Sequence, residues 1–418
     1  MTPVSEELQG AARIMARLHE LAKCSSMGEA GIARLYLSPE QKAADRLAVG
    51  WMEAAGLVAK VDAVGNVHGR LEGTDPAAKP ILLGSHLDTV VDAGAYDGCL
   101  GVVTAIEVME HLRATGRRLR HPVEILGFAD EEGVRFGITY LGSTALAGGW
   151  PADWFERRDA HGLTVRGALL AFGLDPEKVA AMRRDPGSVA GYLELHIEQG
   201  PTLDELGLPL ARVTAIAAVK RWTVRFHGFA GHAGTVPMGR RHDAGCAAAE
   251  FTLALERIAE EIGEGVVATT GQVLLHPNVV NCIPGEATVR IDLRAPTDAL
   301  LVRLNDAVMA ALEEICTKRS VTCEKDCFFD TTAIACDALL TKCVGEAVEA
   351  VQGSVPAIPS GAGHDAAAMS ALCPMAMIFL RCRDGVSHSP LESITSADAG
   401  AGLEALARTL LLADERLD

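Results

Sequence analysis

The chain has 418 residues, of which 49% are hydrophobic, and a formal net charge of −17 at pH 7. This length predicts two domains rather than a single core. The negative charge disfavours nucleic acid and anionic membranes as partners, because phosphate binding needs clustered Lys and Arg. Residues 1–10 contain no cationic stretch followed by an apolar one, so we expect no secretory leader, and no apolar run is long enough to cross a bilayer. We therefore expect a cytoplasmic protein that acts on a small molecule.

Eleven cysteines are scattered through apolar segments. Their number is odd and none forms a Cys-x-x-Cys pair. This pattern predicts reduced, mostly buried thiols rather than a disulfide framework or a structural zinc site.

The first half of the chain alternates helical and strand patterns. Helical periodicity covers 5–21 and 39–55, and Ile81–Leu83 and Val123–Phe128 are apolar runs typical of buried parallel strands. Between these strands, Gly98–Leu112 has the pattern of a crossover helix. Polar residues follow both strands, at the edge where open α/β sheets bind ligands.

A second pattern begins near Ala215 and predicts a ferredoxin-like β-α-β-β-α-β unit of roughly 110 residues. Its predicted strands are 222–227, 266–275, 287–293 and 321–328, and its predicted helices are 243–262 and 298–317. The α/β alternation returns from Asp330 onward. We therefore predict a mixed-sheet α/β catalytic domain, 1–214 with 330–418, that carries an inserted α+β domain, 215–329.

Candidate metal ligands follow the predicted strands. After the first strand, His86 could bind a cation while Asp88 fixes its ring tautomer, although a surface turn would give the same pattern. Asp97 precedes the crossover helix and could be a ligand or only its N-cap. The acids Glu131 and Glu132, after the second strand, repel each other unless a cation or solvent relieves them.

Two histidines further along the chain complete the set. Strand alternation places His196 on the same face as Glu194 and Glu198, although a core histidine would look the same. His388 lies in a loop, where most single histidines have no function. Taken together, the histidines and carboxylates form the nitrogen and oxygen ligand set that suits Zn, Mn, Co or Ni.

These segments, in this order, resemble the hydantoinase/carbamoylase-type amidohydrolases of the dinuclear M20 metallopeptidase superfamily. The most specific runs are His196-Ile-Glu-Gln-Gly-Pro201 and Gly361-Ala-Gly-His-Asp-Ala366, and the likeness covers almost the whole chain. The family includes N-carbamoyl-L-amino-acid hydrolases and allantoate amidohydrolases. The resemblance implies a metallopeptidase-like catalytic domain, an inserted lid and dimerisation domain, and a homodimer.

The resemblance also implies two divalent cations per subunit, Zn²⁺ or Mn²⁺, with Co²⁺ or Ni²⁺ as alternatives. One cation would be held by His86, Asp97 and His196. The other would be held by Asp97, Glu132 and His388, so that Asp97 bridges the pair. Glu131 would be the general base for the attacking water, and Asp88 would assist catalysis.

Further roles are implied for the inserted domain and its edges. His232 would enter the active site of its own or the partner subunit as the lid closes, and would stabilise the oxyanion; the alternative is a plain turn histidine. Arg294 would bind the substrate carboxylate, or be an ordinary strand-end charge. Asn281 and Gln199 would bind the ureido end.

Two more substrate-binding residues are implied. Gly363 would let backbone approach the substrate closely, and Arg221 is a second candidate for anion binding or else a surface residue. Two positions and one run differ from the residues that are usual in the family: Val236, Thr144 and 381–383. These departures remove no ligand but could change which ureido acid fits.

The sequence therefore predicts a metal-dependent amidohydrolase that cleaves the carbamoyl or ureido C–N bond of a small ureido carboxylic acid. An N-carbamoyl-L-amino acid is the preferred substrate and allantoate the near alternative. A dipeptidase or aminoacylase is a third reading. A binder without turnover should lack a ligand or the base, whereas this sequence has all five ligands and Glu131.

Overall fold

The computed structural model describes residues 3–418, so the first two residues of the predicted catalytic domain lie outside the described residues. The chain divides into two compact units. The first contains residues up to Thr214 with Cys336–Ile358 and His364–Asp418, and the second contains Ala215–Ala335 with Pro359–Gly363. The second unit thus extends beyond the predicted span of 215–329. Within the described chain, no helix is long and apolar enough to cross a membrane.

Helices and strands alternate along most of the chain. The α-helices are α1 (Pro3–Ala22), α2 (Pro39–Ala54), α3 (Cys99–Ala114), α4 (Leu141–Ala147), α5 (Val165–Phe172), α6 (Thr202–Leu206), α7 (Ala244–Ile262), α8 (Asp298–Arg319), α9 (Ala338–Gln352), α10 (Asp365–Met369) and α11 (Ser396–Arg416). The strands are β1 (Val58–Val61), β2 (Val67–Leu71), β3 (Ile81–His86), β4 (Val123–Phe128), β5 (Gly191–Ile197), β6 (Leu210–Ile216), β7 (Ala218–His227), β8 (Gly231–His232), β9 (Val267–His276), β10 (Cys282–Ile283), β11 (Glu286–Ala295), β12 (Thr322–Thr331), β13 (Ile334–Ala335), β14 (Ala357–Ser360) and β15 (Met375–Leu380).

A mixed sheet forms the centre of the first unit, with the strand order β1-β2-β4-β3-β5-β15-β6. Its inner strands β4, β3, β5 and β15 run parallel. Every residue of β3, β4 and β5 is buried, as expected for parallel strands covered on both faces. Helices α1, α3 and α11 pack against one another and continue the same hydrophobic core. The predicted mixed-sheet α/β fold is confirmed.

The register of the parallel strands determines where the polar turns lie. Ile81 pairs with Val123 and His86 with Phe128, so β3 and β4 end level with each other. The turns that follow, with Asp88 after β3 and Glu131 after β4, therefore leave the sheet at the same edge.

The second unit contains a four-stranded antiparallel sheet with the order β12-β7-β11-β9. Along the chain its main elements follow the order β-α-β-β-α-β. Helices α7 and α8 pack together, and Phe226, Phe251 and Leu304 lie in the core between helices and sheet. The edge strands β9 and β12 have mostly exposed side chains, including Leu274 and Phe328.

Candidate metal centre

Four side chains from separate segments of the first unit converge on Asp97. The Oδ1 atom of Asp97 lies 3.3 Å from His86 Nε2 and 3.2 Å from His196 Nε2. Its Oδ2 atom lies 3.3 Å from His388 Nε2, which is also 3.3 Å from Glu132 Oε1. The five potential ligands thus form two trios that share one carboxylate, and in each trio the donor atoms lie within 4.8 Å of one another.

Backbone geometry at the start of α3 allows this close approach. Gly98 is the N-cap residue, with φ +66°, and no side chain of the described chain caps the helix there. A Cβ on Gly98 would lie 2.4 Å from the imidazole ring of His86, so a side chain at this position would displace the ring. The Asp97 side chain is not a helix cap, and its carboxylate remains directed at the histidines.

Asp88 acts differently from the prediction. The His86 Nδ1 atom lies 3.0 Å from the backbone carbonyl oxygen of Asp88, whereas the Asp88 carboxylate is 3.8 Å away. That carboxylate instead accepts hydrogen bonds from the backbone N–H groups of Glu131 and Glu132, at 3.0 and 3.2 Å. The carbonyl group therefore orients His86, and the carboxylate of Asp88 holds the turn that carries the predicted base and its neighbouring ligand.

The electrostatic environment shifts the pKa values of two carboxyl groups, Glu131 and Asp97, in opposite directions. Burial raises the pKa of Glu131 well above its usual range, and the charge of Glu132 adds to this effect against the opposing effect of His86. Burial also acts to raise the pKa of Asp97, but the three surrounding histidines hold it well below its usual range. The surroundings thus favour the anion at Asp97 and the protonated form at Glu131.

The donor set fits divalent cations. The buried Nε2 atom of His196 has no hydrogen-bond partner among the described residues, although it is directed at Asp97. A buried polar atom left in this way is destabilising unless another group binds it. Imidazole nitrogens and carboxylate oxygens at one point are the ligands that Zn²⁺ and similar cations take.

Comparison with known proteins identifies the family. Residues 82–412 match the model of peptidase family M20/M25/M40. The chain belongs to this family. A hydantoinase/carbamoylase family amidase from Burkholderia multivorans has a similar structure, with a TM-score of 0.89, 32% identity, and coverage of 96% of this chain and 97% of that one.

Two curated relatives of this M20-family chain are amidohydrolases. Allantoate deiminase from Arabidopsis thaliana is 40% identical over 93% of this chain and 79% of its own length. N-carbamoyl-L-amino acid amidohydrolase from Geobacillus stearothermophilus is 37% identical over 95% of this chain and 97% of its own length. The chain is therefore a hydantoinase/carbamoylase-type hydrolase that acts on C–N bonds other than peptide bonds.

Two side chains that the sequence reading missed, Ser387 and Glu392, support Asp97 in this M20 hydrolase. Glu392 Oε1 accepts hydrogen bonds from the backbone N–H groups of Tyr96 and Asp97, at 2.7 and 3.0 Å. Ser387 Oγ lies 2.7 Å from Asp97 Oδ2 and 3.0 Å from Glu392 Oε2. Their position on either side of His388 was the only signal in the sequence.

Among the predicted substrate-binding residues, Gln199 lies at the metal cluster. Its Nε2 atom donates a hydrogen bond to Asp97 Oδ2 at 2.7 Å, and its backbone has a φ of +57°. His364, which follows Gly363, lies with its ring centroid 4.5 Å from that of His196.

The other predicted substrate-binding residues belong to the second unit of this family member. Arg221 and Arg294 both bind Asp292, and Arg294 also donates to the carbonyl oxygen of Gly361 at 2.7 Å. His232 is exposed on β8, which pairs with β10. The carbonyl oxygen of Asn281 accepts a hydrogen bond from Ala233, beside His232.

Proposed function

We propose that this chain hydrolyses the carbamoyl or ureido C–N bond of a small ureido carboxylic acid, with an N-carbamoyl-L-amino acid as the substrate. The main support is the shared carboxylate of Asp97, whose two oxygens face different ligand trios. Relatives with this activity in their names align over nearly the whole chain. We further propose that the two trios hold two Zn²⁺ or Mn²⁺ ions.

Two such cations would lower the pKa of a water molecule and polarise the substrate carbonyl. Glu131 would accept the proton of the attacking water, since its carboxyl group is buried within reach of both trios. As the C–N bond breaks, Glu131 would return this proton to the leaving nitrogen, which departs as ammonia. Asp88 would keep the turn of Glu131 in place through its two backbone hydrogen bonds.

Residues of the second unit would recognise the substrate. Arg294 would bind the carboxylate, since Asp292 already fixes the orientation of its guanidinium group. His232 would donate a hydrogen bond to the oxyanion. Asn281 and Gln199 are the candidates for binding the ureido end. Gly363 would offer its backbone, and Arg221 would add positive charge.

Allantoate is the second candidate substrate, because several relatives at 39 to 40% identity are allantoate deiminases. Allantoate also combines ureido groups with a carboxylate, so the same arginine and amide groups suit it. A dipeptidase or aminoacylase is the third candidate, and no observation favours it over these two.

The test is ammonia release from N-carbamoyl-L-amino acids, N-carbamoyl-β-alanine and allantoate, by protein loaded with Mn²⁺ or Zn²⁺. We expect turnover of the N-carbamoyl-L-amino acids. In the Glu131→Gln variant kcat should fall by about 10²–10⁴-fold at unchanged metal content. Glu205→Gln, an exposed carboxylate of α6, is the control. Ammonia from allantoate alone would assign the second substrate, and cleavage of dipeptides without any ureide would overturn the proposal.

We also propose a cytoplasmic homodimer formed through the second unit. All eleven cysteines are free, which suits a reducing compartment. The edge strands β9 and β12 expose Leu274 and Phe328, at 55% and 50% of their surfaces. Light scattering should give twice the chain mass, and Phe328→Asp should shift it towards the monomer. A monomeric wild type would contradict this assembly.

A further inference from the structure

A buried arginine, Arg34, connects the two chain segments that carry the proposed ligands His86 and Asp97. Only 1% of its surface is exposed, and it is among the largest fully buried side chains. Burial of a guanidinium group is costly unless its donors are bonded. Hydrogen bonds to neighbouring residues engage four of the five N–H donors of Arg34. The partners of these donors indicate what the side chain does.

Two of the bonds reach the ligand segments directly. Arg34 Nε donates to the carbonyl oxygen of Leu87 at 2.6 Å, between His86 and Asp88 in the sequence. Arg34 Nη2 donates to the thiol sulfur of Cys99 at 2.9 Å, two residues after Asp97. One planar guanidinium group thus joins the end of β3 to the start of α3.

The remaining bonds fix Arg34 itself. Its Nη1 atom donates to the carbonyl oxygen of Leu21, in the last turn of α1, and to that of Cys24, just after the helix. Its backbone N–H donates to Thr89 Oγ1 at 2.9 Å, and its carbonyl oxygen accepts from the N–H of Thr89 at 3.1 Å. The arginine is therefore attached at both its backbone and its side chain.

We propose that Arg34 is a positioning residue that sets the separation of His86 from Asp97 and so tunes cation affinity at the trio of His86, Asp97 and His196. This inference rests on the metal ligands named under the proposed function. A lysine would keep the positive charge but could not bind Leu87, Leu21 and Cys99 at once, because its ammonium group lacks the planar fork. Geometry, rather than charge, is what the residue supplies.

The experiment measures Zn²⁺ affinity of the metal-free protein, by chelator competition and calorimetry, for wild type and Arg34→Lys. Arg135→Lys is the matched control, since Arg135 also binds backbone carbonyls, those of Tyr36 and Leu37, but neither ligand segment. We expect Arg34→Lys to lower the Zn²⁺ affinity of one of the two sites by about 10–100-fold, as for other residues that orient ligands. The Zn²⁺ affinities of the control should be unchanged.

A second variant covers the case in which Arg34→Lys does not fold. Cys99→Ala removes only the sulfur partner and should weaken Zn²⁺ binding by a smaller factor in the same direction. The inference is wrong if Arg34→Lys binds both cations as wild type does. Where the lysine variant does not fold, the same result for Cys99→Ala would show the inference to be wrong. If wild type binds no cation, the proposed function fails first, so the two failures are distinguishable.

Discussion

Two buried carboxylates of the first unit have opposite surroundings. Glu124, in β4, is bound by Arg70, Arg184 and His68, so its charge is fully compensated within the protein. Asp97 is surrounded by three histidines, and His196 retains a buried Nε2 atom with no hydrogen-bond partner among the described residues. The first arrangement needs no further partner, whereas the second leaves a buried imidazole nitrogen that a bound cation would engage. An unpartnered nitrogen, rather than buried charge alone, therefore distinguishes the Asp97 cluster from the Glu124 cluster.

The largest effect should come from Asp97. In Asp97→Asn the amide keeps the size of the side chain but loses the charge that both trios share. Metal content should fall, and kcat/KM should drop by at least about 10³-fold, because cations supply several kcal/mol of transition-state stabilisation. Elemental analysis together with ammonia release checks this. Full metal content in the variant would show that Asp97 is not the shared ligand.

Removal of the support behind Asp97 should have a smaller effect. Glu392→Gln weakens the acceptor for the backbone N–H groups of Tyr96 and Asp97 while keeping its shape. We expect cation affinity to fall by about 10–100-fold and activity to recover at saturating metal. A loss of kcat that excess metal does not restore would argue for a direct catalytic role of Glu392.

The Glu124 cluster should affect stability alone. Its partners lower the pKa of Glu124 from 4.5 to about 2, against the effect of burial. Glu124→Gln should therefore lower the free energy of unfolding at pH 7 by about 3 kcal/mol, with metal content unchanged. Because the folded pKa is depressed, this stabilisation is complete above pH 4.5 and is lost as the pH falls towards 2. Denaturant titrations of wild type and variant at pH 7 and near pH 2 measure this loss. A loss of metal in Glu124→Gln would remove the contrast with Asp97.

Local patterns predicted much of the fold. The apolar run Val123–Phe128 is a strand with those bounds, and the predicted helix 243–262 is observed as Ala244–Ile262. The strand predicted to end at Leu83 continues to His86, because pairing with β4 carries polar residues into the sheet. The pair β1 and β2 was missed because β1 is short and half exposed, so its pattern is weak.

The site was predictable where residue type alone indicates chemistry. His86, Glu131 and Glu132 could be placed together because they lie at the ends of parallel strands that share one edge of the sheet. The grouping of the five potential ligands into two trios came from the family resemblance. The bonding of Asp88, Glu392 and Arg34 was not predictable, since each depends on which backbone group lies opposite in space. Such partners are many residues apart, as with Glu392 and Asp97, and no local spacing encodes them.

The central claim is that Asp97 lies between two cations. Anomalous X-ray diffraction at the zinc edge, from crystals grown with Zn²⁺, tests it most directly. We expect two peaks, one on each side of the Asp97 carboxylate: one beside His86 and His196, the other beside Glu132 and His388. A single peak, or peaks away from Asp97, would contradict it.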